Sequence, residues 1–560
     1  MRKIVSAACC LLLALPLAAQ KNHNFEIAKN LDIFNSLYKE LDLHYVDTLD
    51  AQKLIGDAIE YMLSGVDPYT TYYSEQDTKD LQFMTTGKYA GIGSIIQYYK
   101  KRDRCILYEP YEGMPAVEAG LRAGDIILSI DGKDTGTKGN TELGDYTQKV
   151  SDALRGEPGT TVTLVVERPG ESKPLTFKVT RRNIQMPSVP YYGLVDDQTG
   201  YIYLTGFTEN CARDVRRAIV ELKQQGAKGL ILDLRGNGGG LLDEAVEIVN
   251  FFVPKGKEIV STRGKIRAAN SVYKTTKEPL DTDLPIAVLV DRNTASASEI
   301  TAGALQDFDR AVIVGTRTYG KGLVQQPRQL PYNGILKLTT SKYYIPSGRC
   351  IQALDYSRRN ADGSVMRTPD SLTHVFHTEA GREVRDGGGI TPDLTIKSDS
   401  LPNIVVYLSP SMKTGDVLFD FVTEYTRRHP SIGKASSFDI SDDEYERFKK
   451  FVEKSDFTYD RQSQKALETL KRIARFEGYG EEAAEEFKAL EAKLNHNTAS
   501  DLERWKPEIK KLLNAEIVRR YYYQKGVIEN QLHNNDRELN EAVRILHAPA
   551  EYKKILKKDN

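Results

Sequence analysis

Imidazole is missing from the long middle of this chain. Of its 560 residues eight are His, at 23, 44, 374, 377, 429, 496, 533 and 547, so none lies between Tyr45 and Thr373. A Ser-His triad in that stretch would have to import its base from a flanking domain, and a His-bearing zinc site there is excluded. Cysteine is scarce too: five residues, at 9, 10, 105, 211 and 350, with no CxxC pair. Cys105, Cys211 and Cys350 read as small buried thiols, not as a disulfide framework or a zinc cluster. An excess of either charge is also lacking. With 77 Lys and Arg against 78 Asp and Glu, the net charge is −1, which leaves no global field to attract nucleic acid, and no nucleic-acid partner is expected.

What remains is an ordinary globular composition, 40% hydrophobic and 28% charged, long enough for three or four domains at about 150 residues each. The first residues, MRKIVSAACCLLLALPLAAQ, carry two basic side chains and then an apolar run from Ile4 to Ala19. This is the pattern of a signal peptide over 1–19, short for a membrane span, with cleavage after Ala19. The mature chain is then expected to be periplasmic or secreted; uncleaved, the same segment would hold it at the membrane.

Four further regions follow. Residues 24–86 have a helical pattern, with Ile33, Leu37 and Leu41 on one face and Leu54, Ala58 and Met62 on the next, and a turn signal at Asp67-Pro68. Residues 87–182 change to short β runs with two brief helical patterns, a compact β domain. From 183 to 400 continuous apolar strands (GLILDLRG, PIAVLVD, AVIVG) alternate with helices, predicting an α/β layer domain whose sheet is covered on both faces. Residues 401–560 read as amphipathic helices packed together, with Leu467, Leu470 and Ile473 at helical spacing.

Three segments of the histidine-free region could carry chemistry. In DRNTASASEI, residues 291–300, a buried strand runs into a helix, and Ser296 at such a junction can project from the sheet edge beside free helix-start N–H groups. A helix-entrance cap is the simpler use of such a serine. In TYGKGLVQQ, after the next strand, Lys321 lies between two glycines. An ammonium cannot accept a proton, so a lysine base needs a pocket that keeps it neutral. In LDLRGNGGG, a strand-end glycine turn offers unshielded amides; it is neither GxGxxG, since Leu241 occupies the last position, nor a phosphate loop.

Taken together, TASASE (294–299), GK-x3-Q (Lys321, Gln325) and DLR-x-N-x-GG (233–240), with YVD (45–47), DPYTTYY (67–73) and GIG (91–93), resemble the C-terminal processing, or tail-specific, serine peptidases. The resemblance runs over residues 30–395. It implies an α+β multidomain fold: a ClpP/crotonase-like α/β-layer core, an inserted PDZ domain, an N-terminal helical cap and a C-terminal helical extension. It makes Ser296 the nucleophile, Lys321 its base and Gln325 the residue that orients the lysine, with Ser298 a cap. The oxyanion hole would be the amides of Ala297 and Gly239, Gly238 standing where the family often has proline. Gly91, Ile92 and Gly93 look like the loop that receives a peptide carboxylate, with Ile92, Ile95 and Ile96 around the last side chain.

The implied partners are proteins or peptides with free apolar C-termini, with a second copy of the chain or an adaptor on the tail; no metal or organic cofactor is implied. The sequence departs from the family at DPYTTYY, where DPHSxY is usual, in a long polar 354–385 segment, and in the helical tail. The rival reading is a non-catalytic PDZ scaffold that binds peptides or ligands on the same fold, which need not keep Ser296, Lys321 and Gln325.

Overall fold

A computed structural model describes residues 2–75, 88–360, 364–397, 401–409, 416–494, 497–533 and 536–557. The chain divides into two compact units, one made of Met1–Glu75 with Gln325–Thr339, the other of Gln76–Val324 with Thr340–Asn560.

In the first unit, helices α1 (Arg2–His44) and α2 (Ala51–Ser64) follow one another. Asp50 caps α2, its carboxylate accepting from Lys53 N at 3.0 Å. The anticipated turn is present: Asp67 Oδ1 accepts from the amides of Tyr69 and Thr70 at 2.8 and 2.7 Å. It leads into a short strand β1 (Thr71–Tyr73), so the helical pattern of this region stops at Ser64; the remainder of the segment, 76–86, lies outside the described residues. β1 pairs antiparallel with residues 335–337. Ile33, Leu37 and Leu41 of α1 are exposed. Among the described residues no helix is long and apolar enough to cross a membrane.

The second unit begins with the β domain: β2 (Lys88–Gly91), β3 (Ser94–Tyr99), β4 (Arg104–Pro110), α3 (Pro115–Glu118), β5 (Ile126–Ile130), β6 (Lys133–Asp134), α4 (Leu143–Leu154), β7 (Thr161–Glu167), β8 (Leu175–Thr180) and β9 (Arg182–Gln185). One sheet runs β3-β4-β5-β7-β8, and β2 pairs β9. Along β7 the side chains of Val162, Leu164 and Val166 alternate into the core, where Tyr146 and Val150 of α4 meet them.

The next layer is built from β10 (Tyr191–Leu194), β11 (Thr199–Tyr203), α5 (Cys211–Gln224), β12 (Gly229–Asp233), α6 (Leu242–Asn250), β13 (Glu258–Gly264), β14 (Ser271–Lys274), β15 (Ile286–Val290), α7 (Ala297–Asp307) and β16 (Val312–Gly315), while β17 (Leu323–Gln329) and β18 (Ile335–Tyr344) divide their residues between the two units. Two small hairpins, β19–β20 (Leu354–Arg359, Val365–Arg367) and β21–β22 (Val375–His377, Glu383–Arg385), and β23 (Leu394–Thr395) complete it. The central sheet has the order β10-β11-β12-β15-β16-β23, parallel from β11 onward. One face is packed by α5, α6 and α7. Gly303 lets α7 lie close, since a Cβ there would stand 2.7 Å from Ile345 and Ile390.

The tail consists of α8 (Asn403–Leu408), α9 (Asp416–Arg428), α10 (Asp442–Glu453), α11 (Gln462–Phe476), α12 (Ala484–Leu494), α13 (Thr498–Arg504), α14 (Lys506–His533, broken at Tyr523), α15 (Arg537–Leu546) and α16 (Pro549–Leu556). Leu467 is buried, but Leu470 and Ile473 are 50% and 45% exposed, so only part of the expected stripe packs. The tail packs on the rest of its unit in at least two places. Phe419 of α9 stacks on Tyr108 of β4 at 5.3 Å, and Arg519 of α14 pairs with Glu109 at 2.8 Å, which seats the β domain on the helices. Leu539, Ala542 and Ile545 of α15 and Tyr552 of α16 cover the second face of the central sheet, against Ile231, Leu289 and Val312. The doubly covered sheet predicted from its apolar strands therefore takes one of its covers from the far end of the chain.

Tyr552 also holds the start of β15: its hydroxyl accepts from Ile286 N at 2.9 Å. Tyr552→Phe leaves that buried donor without its partner, which costs about 1 to 3 kcal/mol. The expected result is a lower Tm by calorimetry, with the far-UV dichroism of the folded chain unchanged; an unaltered Tm would mean that the last helix is not part of the core.

Candidate active site

Strand β15 ends at Val290, and the chain turns through 291–295 into α7. Ser296, the residue before the helix, has φ 58° and ψ −118°. A side-chain-bearing residue held there costs of order 1 to 3 kcal/mol and persists only where its surroundings leave no alternative. A strained strand-to-helix turn is also the geometry that lifts a hydroxyl clear of a sheet edge. From Thr294 to Thr301 every residue is buried except Ser296. Ser298 has no exposure, and its hydroxyl donates to Asn237 O at 3.0 Å. It acts as a tie between two loops, where a helix cap was expected.

The glycine turn and the serine segment form one hydrogen-bonded body. Asp291 Oδ1 accepts from the amides of Asn293 (3.0 Å), Thr294 (2.9 Å) and Gly236 (3.0 Å). Thr294 Oγ1 donates to Leu234 O, and Ala295 N to Asn237 O, at 2.9 and 3.0 Å. Gly239 closes the contact. A Cβ on it would lie 2.7 Å from Ser296 Cβ and 2.8 Å from Ala297 N, and its φ of 98° suits only glycine. Its own N–H donates to Asn237 Oδ1 at 2.9 Å. Ala297 opens α7, where amides have no partner in the helix and the dipole is positive.

Lys321 sits in the loop after β16, half-buried. It is joined to Ser296 by two groups that sequence reading did not single out. Glu299, fully buried, accepts four hydrogen bonds. Its Oε2 takes the amides of both Ser296 and Lys321 at 2.9 Å, and its Oε1 takes Gly320 N at 2.8 Å and Thr318 Oγ1 at 2.5 Å. The amides of Ser296 and Lys321 are thus no farther apart than two hydrogen-bond lengths. On the carbonyl side, the Tyr343 hydroxyl donates to Lys321 O at 2.6 Å and lies 3.2 Å from Ser296 O. Burial pushes the Glu299 carboxyl up to about 7, while Thr318 and the three amides pull it down. Glu299 stands at capping-box spacing from Ser296, a pattern legible in TASASE; Tyr343 has no such local pattern.

The remaining predicted residues are described by their own surroundings. Gln325 belongs to the first unit, where its Nε2 donates to Thr339 Oγ1 at 3.0 Å. Gly91 ends the β2 ladder opposite Arg182, and Ile92 and Gly93 form the bend into β3. The carbonyls of Ile92 and Gly93 accept from Ala116 and Tyr111, and their amides take no partner among the described residues. Ile92 is buried, and Ile95 is exposed. Among the described residues no group of His, Cys, Asp or Glu could hold a metal ion.

Three family profiles match: "Peptidase family S41" over residues 198–357, "PDZ domain" over 106–168, and "Probable PDZ-protease, C-terminal helical domain" over 408–546. The carboxy-terminal-processing protease of Bartonella bacilliformis is 38% identical over 347 residues, 61% of this chain and 77% of that one. A probable CtpA-like serine protease of Staphylococcus aureus is 36% identical over 394 residues, 69% of each chain. Among solved structures, a photosystem II D1 C-terminal processing protease matches with 29% identity and a TM-score of 0.36, over 66% of this chain and 88% of that one.

The Glu299 carboxyl gives a test of the clamp. Its folded value of about 7 stands above the ordinary 4.5. Its contribution to stability is therefore complete below 4.5 and lost as pH rises through 7, a span worth on the order of 3 kcal/mol. In Glu299→Gln an amide NH2 faces N–H donors and nothing titrates. The Tm difference between wild type and Glu299→Gln should be largest at pH 5 and shrink toward pH 8; a constant difference would remove Glu299 as a titrating group.

Proposed function

The chain belongs to the S41 peptidases, as a PDZ-containing C-terminal processing serine protease, and from that premise we propose an exported endopeptidase in which Ser296 and neutral Lys321 form the catalytic dyad. The observation that carries this reading is the double clamp: Glu299 takes the amides of Ser296 and Lys321, and Tyr343 lies on their carbonyls. This shared hold on the two backbones is what supports pairing the hydroxyl of Ser296 with the amine of Lys321, in a region without imidazole. The leader over 1–19 is the reason for assigning the mature chain to the periplasm or the exterior.

Lys321 Nζ takes the Ser296 proton as Oγ attacks the scissile carbonyl carbon, and the electron pair moves onto the carbonyl oxygen. That oxyanion is received by Ala297 N–H and Gly239 N–H. The second amide rests on Asn237 Oδ1 in this structure, and an anionic oxygen is the stronger acceptor for it. When the C–N bond breaks, the lysinium proton goes to the leaving amine. Water then gives its proton to Lys321 and attacks the acyl carbon, and Ser296 regains a proton as its C–O bond breaks. Gln325 keeps its lysine-orienting role on the strength of the family motif alone. The loop 91–93 offers the amides of Ile92 and Gly93 to a substrate carboxylate, while the chain before it adds alongside β3.

Ser296→Ala and Lys321→Ala should each lower kcat on a peptide with an apolar C-terminus by about a thousandfold or more, whereas Ser298→Ala, which only unties a loop, should stay within about tenfold of wild type. Near-normal turnover by Lys321→Ala would end the dyad assignment. Converting the terminal carboxylate of the same peptide to an amide should raise KM about tenfold or more, because the loop amides lose an ionic acceptor; an unchanged KM would take the 91–93 loop out of recognition.

A further inference from the structure

Arg235 stands at the root of the 236–240 turn and is held from two domains at once. Its backbone N–H and Nε donate to Asp233 Oδ1 at 2.9 and 3.0 Å, and Nη2 reaches Asp233 Oδ2 at 2.6 Å. Asp233 is fixed in turn by the Tyr201 hydroxyl at 2.7 Å. From the tail, Asp536 meets the same guanidinium in a two-pronged pair, Nη1 to Oδ1 at 3.0 Å and Nη2 to Oδ2 at 2.7 Å. Glu538 lies 3.6 Å from Nη1. A fork-to-fork pair of this kind fixes direction as well as distance.

Asp536 is itself immobilised. It caps α15, accepting from Leu539 N at 3.0 Å, and its side chain is only 15% exposed. Around the pair the domains stand apart, across a cavity of about 640 Å³ lined by Tyr203, Gly236, Asp291, Lys397, Lys511 and Asn530. The contact between Asp536 and Arg235 spans that gap at the point where β12 becomes the glycine turn. One residue further on, Gly236 N is bound to Asp291, and then Asn237 O receives Ala295 N and Ser298 Oγ. An unbroken series of bonds thus runs from the tail to the residues flanking Ser296.

We propose that Asp536 is a positioning residue for the peptidase reaction. By fixing the Arg235 guanidinium it fixes the turn that lines one side of the oxyanion, so the C-terminal helical domain contributes to turnover as well as to folding. This rests on the reading of the 236–240 turn given above. Releasing one end of Arg235 frees the turn by fractions of an ångström, which affects a transition state more than a bound substrate.

The test uses the full chain and a peptide with an apolar C-terminus. Asp536→Asn keeps the helix cap and removes the charged fork; Asp536→Ser does the same with a shorter side chain and serves if the first variant folds poorly. We expect kcat to fall about tenfold or more, with KM within about twofold of wild type. Tyr552→Phe, which weakens the same domain contact away from Arg235, should lower Tm and leave kcat unchanged. A wild-type kcat in both Asp536 variants, beside an inactive Ser296→Ala, would overturn the proposal alone. An equal fall of kcat in Tyr552→Phe would also overturn it, as general loosening. An active Ser296→Ala would instead remove the reading beneath it.

Discussion

Glu299 is a carboxylate buried where no water reaches it, and its two oxygens take the amides of Ser296, Gly320 and Lys321 and the hydroxyl of Thr318. Burying an ionised carboxyl is costly, and only a full set of donors makes it tolerable. The converse matters more here. Three of those donors are backbone amides, which cannot be supplied by rotating a side chain, so the carboxylate is satisfied only if both loops lie where they do. The strained backbone of Ser296 is one consequence. A conformation that costs energy is kept because abandoning it would leave the buried Glu299 carboxyl short of a donor.

The same logic extends outward through Asn237, Asp291 and Thr294. The side chains of Asp291 and Thr294 bond the glycine turn from the serine loop, and Asn237 fixes the turn to Leu204 O with its side chain while its carbonyl takes Ala295 N and Ser298 Oγ. Loops at strand ends are ordinarily the mobile part of an α/β domain. Here they are tied to one another by bonds with buried partners, which is the condition for donors to be in place before charge develops on a substrate. Gly239 shows the tolerance involved: one added carbon would collide with the serine it flanks.

Much of this was legible in the sequence. The absence of histidine, the strand-to-helix position of Ser296, Lys321 between glycines and the DLR-x-N-x-GG turn all depend on local pattern, and the structure places these segments side by side at one end of the sheet. The strands of the central sheet were readable for the same reason, since a continuous apolar run reports burial on both faces. What covers the second face was not readable. Nothing near Ile231 or Leu289 indicates that Leu539 and Ile545 will meet them, because period and composition carry no information about long-range pairing. Tyr343 was missed on the same ground, and Glu299 was passed over although its spacing from Ser296 marks a capping box. The stripe of Leu467, Leu470 and Ile473 erred the other way: helical period indicates that a helix can be amphipathic, not that a partner is present for all of it.

A lysine base makes a particular demand on such a scaffold. Its amine sits at the end of a four-carbon stem with about 2 kcal/mol of rotamer entropy, so placing it by side-chain contacts alone would be inefficient. Fixing the peptide on either side of the stem restricts the amine's reach before any substrate arrives. Lys321 is held at its own N–H by Glu299 and at its own C=O by Tyr343, and Ser296 is held by the same two groups. A histidine triad orients its base through the ring nitrogen that faces the third residue. A lysine has no second nitrogen to hold, and in the proposed dyad the clamp on the main chain takes that role.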